Sequence, residues 1–232
     1  MLAVFVGMPI LTRMYDPLVY SAWIVFFSTW VIFSTIATLR LELAVVLPKQ
    51  DEKQNAASLW IACLLSSIGV GALSWMVVYF SDEALLGRFW EDLKGYLPCL
   101  AVWVCATGCY QACLGWFTRK KMFGWYGLGQ FMVPVATIGL QVGLARFVDN
   151  GLRELIIGAV LAQSVVTAIA VLVVLLKDGR EILRADAWKG IGPMVREYRV
   201  YPSYMTAYSL MATIRDRFVY FLIGDYSTKA AA

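Results

Sequence analysis

The sequence predicts an all-α integral membrane protein built as a polytopic helix bundle. Of its 232 residues, 60% are hydrophobic and only 16% are charged. The mean hydropathy is +0.68. Apolar runs of about 20 residues, the length that crosses about 30 Å of hydrocarbon, recur along the whole chain. A single soluble core of this size could not bury that much apolar surface.

The first element is partial. Residues 1–11, MLAVFVGMPIL, make about half a span and run into Thr12 and Arg13. They lack both the basic leader and the small-residue cleavage site of a signal peptide, so the stretch reads as the tail of a truncated helix. Full spans follow at 19–39, 57–80, 97–117, 123–146, 154–176 and 203–224. Asp16 before Pro17 marks the start of the first full span, because a carboxylate caps free backbone N–H groups and proline fits the first turn. Pro98 and Pro202 stand similarly at the starts of later spans. Pro134 lies inside a span, where it removes one backbone hydrogen bond. Gly139 and Gly143 have the spacing that lets a neighbouring helix approach closely. Residues 177–202 mix both charge signs with aromatics and read as an amphipathic connector at the cytoplasmic interface.

Loop charges set an orientation, since lysine and arginine accumulate on the cytoplasmic side. With the partial span counted first, one set of loops holds Arg40, Lys49, Lys53, Arg119, Lys120, Lys121, Lys177, Arg180, Arg184, Lys189, Arg196 and Arg199. The opposite set holds Arg13, Arg88, Lys94, Arg146, Arg153 and Lys229, half as many. This expectation places the first set and the N-terminus in the cytoplasm.

The residues give enzyme chemistry little to work with. There is no histidine among the 232 residues, which removes the commonest general base and metal ligand. Cys105, Cys109 and Cys113 repeat every four residues on one stripe, but three ligands on one helix cannot close a tetrahedral shell. They read as small apolar residues at a helix interface. No glycine-rich phosphate loop of the nucleotide-binding types occurs. The expectation is a non-enzyme without metal or cofactor, with proton or sodium coupling left open.

Charges inside apolar stretches are the candidate functional groups, because each costs about 2.5–3.5 kcal/mol at the centre of a span and normally meets water, a counter-charge or a substrate path. Arg215, Asp216 and Arg217 interrupt the last span. Residues two apart diverge by about 200° on a helix, so the two arginines cannot share a face. Asp216 is either their counter-ion or an ion-coupling group. Arg40 and Glu42 fall about 35 Å along a helix that starts at Pro17, facing inward or anchoring the headgroups. Gln111, Gln130, Gln141 and Gln163 are candidate hydrogen-bonding ties between helices.

The stretches PILTRMYDP (9–17), LRLELAVVLPKQDE (39–52), TRKKMF (118–123) and WKGIGPMVREYRVYPS (188–203) follow one another in an order that resembles Wzx-type polysaccharide flippases. These belong to the multidrug/oligosaccharidyl-lipid/polysaccharide exporter superfamily. The resemblance implies two six-helix lobes around a cavity, with alternating access moving an undecaprenyl-pyrophosphate-linked oligosaccharide from the inner to the outer leaflet. On this expectation residues 1–176 are the first lobe with its first helix truncated, 177–202 the connector, and 203–232 the first helix of the second lobe. The chain would then be a fragment of a multi-pass protein of the bacterial inner membrane. Arg13, Arg40, Arg215 and Arg217 are the expected substrate-binding cations, Arg13 having an equal reading as an interfacial anchor. Glu42 and Asp216 are the expected coupling or counter-ion groups. The implied partners are the lipid-linked oligosaccharide, membrane lipids and other polysaccharide assembly proteins, with no nucleic acid. The alternatives are a drug or metabolite exporter of the same superfamily, and a membrane-embedded glycosyltransferase or acyltransferase.

Overall fold

The computed structural model describes residues 9, 11–48, 53–80, 93–145, 151–183 and 185–229, with side chains left out at 53–54, 185–186 and 218–229. The expected partial span over 1–11 lies outside the described residues except for helical positions at its end. The helices that build the bundle among the described residues are α1 (Pro17–Ile36), α2 (Leu41–Ala44), α3 (Lys53–Phe80), α4 (Leu97–Arg119), α5 (Phe123–Leu144), α6 (Leu152–Ile182), α7 (Ala185–Lys189), α8 (Ile191–Glu197) and α9 (Thr206–Lys229), the last preceded by a π-helical turn at Tyr201–Met205. No strand occurs among the described residues.

Local chemistry explains the helix ends. The Asp16 carboxylate accepts from the Leu18 N–H at 2.8 Å, and Pro17 opens α1. α1 stops at Ile36, short of its expected end, because Leu39 and Arg40 both take left-handed backbone angles at φ 51° and 57°. Neither is glycine, so each position costs about 1–2 kcal/mol and must be held by its surroundings. At the end of α4, Met122 N–H bonds the Phe117 carbonyl at 2.8 Å and Lys121 N–H bonds Thr118 at 3.1 Å. That pair of bonds is a Schellman cap, with Lys121 in the left-handed position at φ 56°. The Glu154 carboxylate accepts from Gly151 N–H at 2.9 Å and fixes the start of α6. α6 continues past residue 176 to Ile182, absorbing the first charged residues of the expected connector.

α4 is the axis of the bundle, packed against α3, α6 and α1, while α5 leans on α6 and α9 on α1. Two apolar clusters stack along it. One gathers Trp23, Phe26, Leu100, Trp103 and Ile156. The other gathers Leu41, Trp60, Trp116 and Phe117. The expected glycine contact is not where it forms: a Cβ at Gly139 or Gly143 would meet nothing within 4 Å. Close approach falls instead at Gly115, where a Cβ would stand 2.6 Å from the Glu42 carbonyl oxygen. That glycine lets α4 seat the short α2 directly against itself. The remaining connector, α7 and α8, packs on α3, with Ser58 Oγ donating to the Ala187 carbonyl at 2.6 Å.

Candidate functional site

α1 and α9 run antiparallel and share one polar seam. Arg40 Nε donates to Ser209 Oγ at 3.1 Å, Thr35 and Thr213 hydroxyls meet at 3.2 Å, and the Arg217 guanidinium lies 5.4 Å from the Phe27 ring centre. The α9 members are four residues apart, so they form one stripe, and Arg217 stands about 12 Å along the axis from Ser209. Glu42 holds the other end of Arg40: its Oε1 lies 3.5 Å from Arg40 Nη1, and its Oε2 accepts from the Thr38 hydroxyl. Glu42 is buried, whereas the Arg40 side chain keeps 31% of its surface open. Arg40 Nη2 takes part in neither contact.

The remaining candidates lie elsewhere. Arg215 and Asp216 pair with each other at 3.0 Å on the outer face of α9, where the Arg215 side chain is 79% exposed. Tyr204, Tyr208 and Met211 share that exposed stripe. Arg13 is exposed at the opposite end of α1 from Arg40, a separation of about 30 Å for a helix of 20 residues. The structure therefore brings Arg40, Glu42 and Arg217 onto one seam and leaves Arg13, Arg215 and Asp216 off it.

Beside the seam is a pocket of about 220 Å³ between α1, α4, α5 and α6. Trp23, Phe27, Trp30 and Trp103 form its aromatic wall. Trp30 and Trp103 stack at 4.1 Å and 10°, and Trp30 Nε1 donates to Thr107 Oγ1 at 3.2 Å. The opposite wall is Val133, Pro134, Thr137, Ile138 and Gln141 of α5. Gln141 Nε2 donates to the Leu155 carbonyl at 3.0 Å and the Tyr15 hydroxyl donates to the Gln141 carbonyl at 3.0 Å, so this residue is a tie between helices as its polarity suggested. The charge-based sequence reading passed over this pocket. Its signal was present in the spacing of Trp23, Phe26, Phe27 and Trp30, which repeats as i, i+3, i+4, i+7 on one helix face.

A second polar cluster joins α4 to the extension of α6. Lys120 Nζ contacts Asp178 at 2.8 Å and Glu181 at 3.1 Å, and Trp116 Nε1 donates to Asp178 at 2.9 Å. Burial works to lower the Lys120 pKa, but the bonds to Asp178 and Glu181 outweigh it and hold the pKa above its ordinary value. Arg119 donates to the backbone carbonyls of Val45 and Pro48, tying the segment after α2 to the same helix end. The five cysteines are free thiols, and no group of three or more metal-ligating side chains occurs among the described residues.

Among the described residues five helices, α1, α3, α4, α5 and α6, are long and apolar enough to cross a membrane. α9 is long enough but carries Arg215, Asp216 and Arg217. The chain is thus an all-α polytopic membrane protein. Among curated proteins it is 28% identical over 111 residues to the UPF0314 protein R03235 of Rhizobium meliloti (strain 1021), a match covering 47% of this chain and 52% of that protein. The chain spans about half the length of that relative. No family model matches the chain, and no solved structure does.

Proposed function

We propose that this protein works in translocating a polyprenyl-pyrophosphate-linked oligosaccharide across the bacterial inner membrane for surface polysaccharide synthesis. The observation that carries the reading is the pair of guanidinium groups, Arg40 and Arg217, on the single α1–α9 seam. A pyrophosphate crossing hydrocarbon needs its charge offset, and a guanidinium does so through paired, planar hydrogen bonds that an ammonium cannot match. Arg40 suits the task because Ser209 and Glu42 fix its orientation while Nη2 stays available. The order of the sequence stretches that resemble Wzx-type flippases supports the same assignment.

Complementation of a flippase-null bacterium tests it, with surface glycan read at matched protein level for wild type, Arg40→Ala, Arg217→Ala and Arg215→Ala. The seam variants are expected to lose surface glycan, Arg40→Lys to recover little of it, and Arg215→Ala to retain it. Normal glycan in both seam variants would overturn the proposal.

A further inference from the structure

We propose that the pocket between α1, α4, α5 and α6 binds the hydrocarbon chain of a membrane lipid. This rests on the membrane-spanning bundle and not on the transport reading. No charged side chain is among the residues that line the pocket. Four of its polar side chains already direct donors to protein acceptors, Thr137 to the Val133 carbonyl, Gln141 to the Leu155 carbonyl, Gln163 to Thr167 and Trp30 to Thr107, so the donors left on its wall are the Tyr20 hydroxyl and the Trp23 and Trp103 indole N–H groups. A polar headgroup would therefore lose its water and gain few partners inside. At about 220 Å³ the space exceeds the ~150 Å³ at which apolar cavities already stay dry and take up hydrocarbon ligands. The stacking of Trp30 on Trp103 covers one face of each ring, which removes platforms a flat ligand would use and leaves surface suited to methylene groups.

The route in is lateral. α1 and α5 flank the pocket without packing closely on each other. Ile24, Phe27, Pro134 and Ile138 on those two walls are only half-buried. The surrounding helices are apolar over spanning length, so the opening lies at the depth where the membrane supplies lipid chains. Phe27 belongs to both the pocket wall and the seam, which places a bound chain one ring away from the Arg217 guanidinium.

Native mass spectrometry of the full chain released from nanodiscs tests the inference, one preparation containing phosphatidylglycerol alone and a second also containing a polyprenyl phosphate. The wild type is expected to retain one lipid after loosely held lipid is stripped. The adduct mass tells a phospholipid from a polyprenyl chain, and either supports the proposal. Ile138→Trp and, separately, Ile24→Phe fill the pocket and are expected to cut retained lipid by about tenfold, as the exclusion of about two methylene groups requires. Leu128→Trp, on the exposed part of α5 away from the pocket, is expected to leave it unchanged. Absence of an adduct on the wild type overturns the proposal whatever the variants do, and so does equal retention by a filled variant with native helical circular dichroism.

Discussion

Lys120 shows how a single side chain can clamp two helices. Its ammonium is held by Asp178 and Glu181 from α6 and lies 5.3 Å from the Trp116 ring centre on its own helix end. Because its folded pKa is raised, its contribution is fully present below the unfolded value of 10.5 and fades as pH climbs through the folded value. Thermal unfolding in detergent from about pH 9 to about pH 11, bracketing the ordinary lysine value, should show a steeper loss for wild type than for Lys120→Met. Parallel profiles would remove this clamp from the account. Sequence reading placed Lys120 in a basic loop, and its partners were hidden because Asp178 and Glu181 lie 58 and 61 positions away. Arg40 was legible as a charge in an unusual place, but its partner Ser209 lies 169 positions away, beyond any local pattern.

At the scale of elements, the spans could be read because spanning length is a local property of composition. Their ends were harder to place. The break after Ile36 depends on left-handed Leu39 and Arg40, where neither residue type signals such a turn. The glycines illustrate the same limit: Gly139 and Gly143 have the right spacing for an interface yet face open space, while backbones meet closely at Gly115 and Gly71. Gly115→Ala is therefore expected to destabilise the bundle by about 1–3 kcal/mol through overpacking against α2. Gly139→Ala should be neutral or stabilising by up to about 1 kcal/mol, since alanine favours the helix. Denaturation of the two variants side by side checks this, and equal effects would contradict the packing described for α2.

Across the whole molecule, the excess of cations in Arg119–Lys121 and the α7–α8 connector predicts that both lie on the cytoplasmic side of the membrane. In a cysteine-free background, Lys121→Cys should react with an impermeant maleimide in spheroplasts only after permeabilisation, whereas Gly151→Cys should react without it. The reverse pattern would invert the orientation. The α1–α9 seam has a further consequence for synthesis on the ribosome. Thr35 and Thr213 meet across 178 positions of chain, so α1 enters the membrane long before its partner has been translated. A helix with three successive ionisable residues partitions poorly from the translocon by itself. Were α9 to cross the membrane, its retention would depend on α1 keeping that flank uncovered while α3 to α6 assemble, and a chain arrested before α9 would leave Arg40 without its Ser209 acceptor.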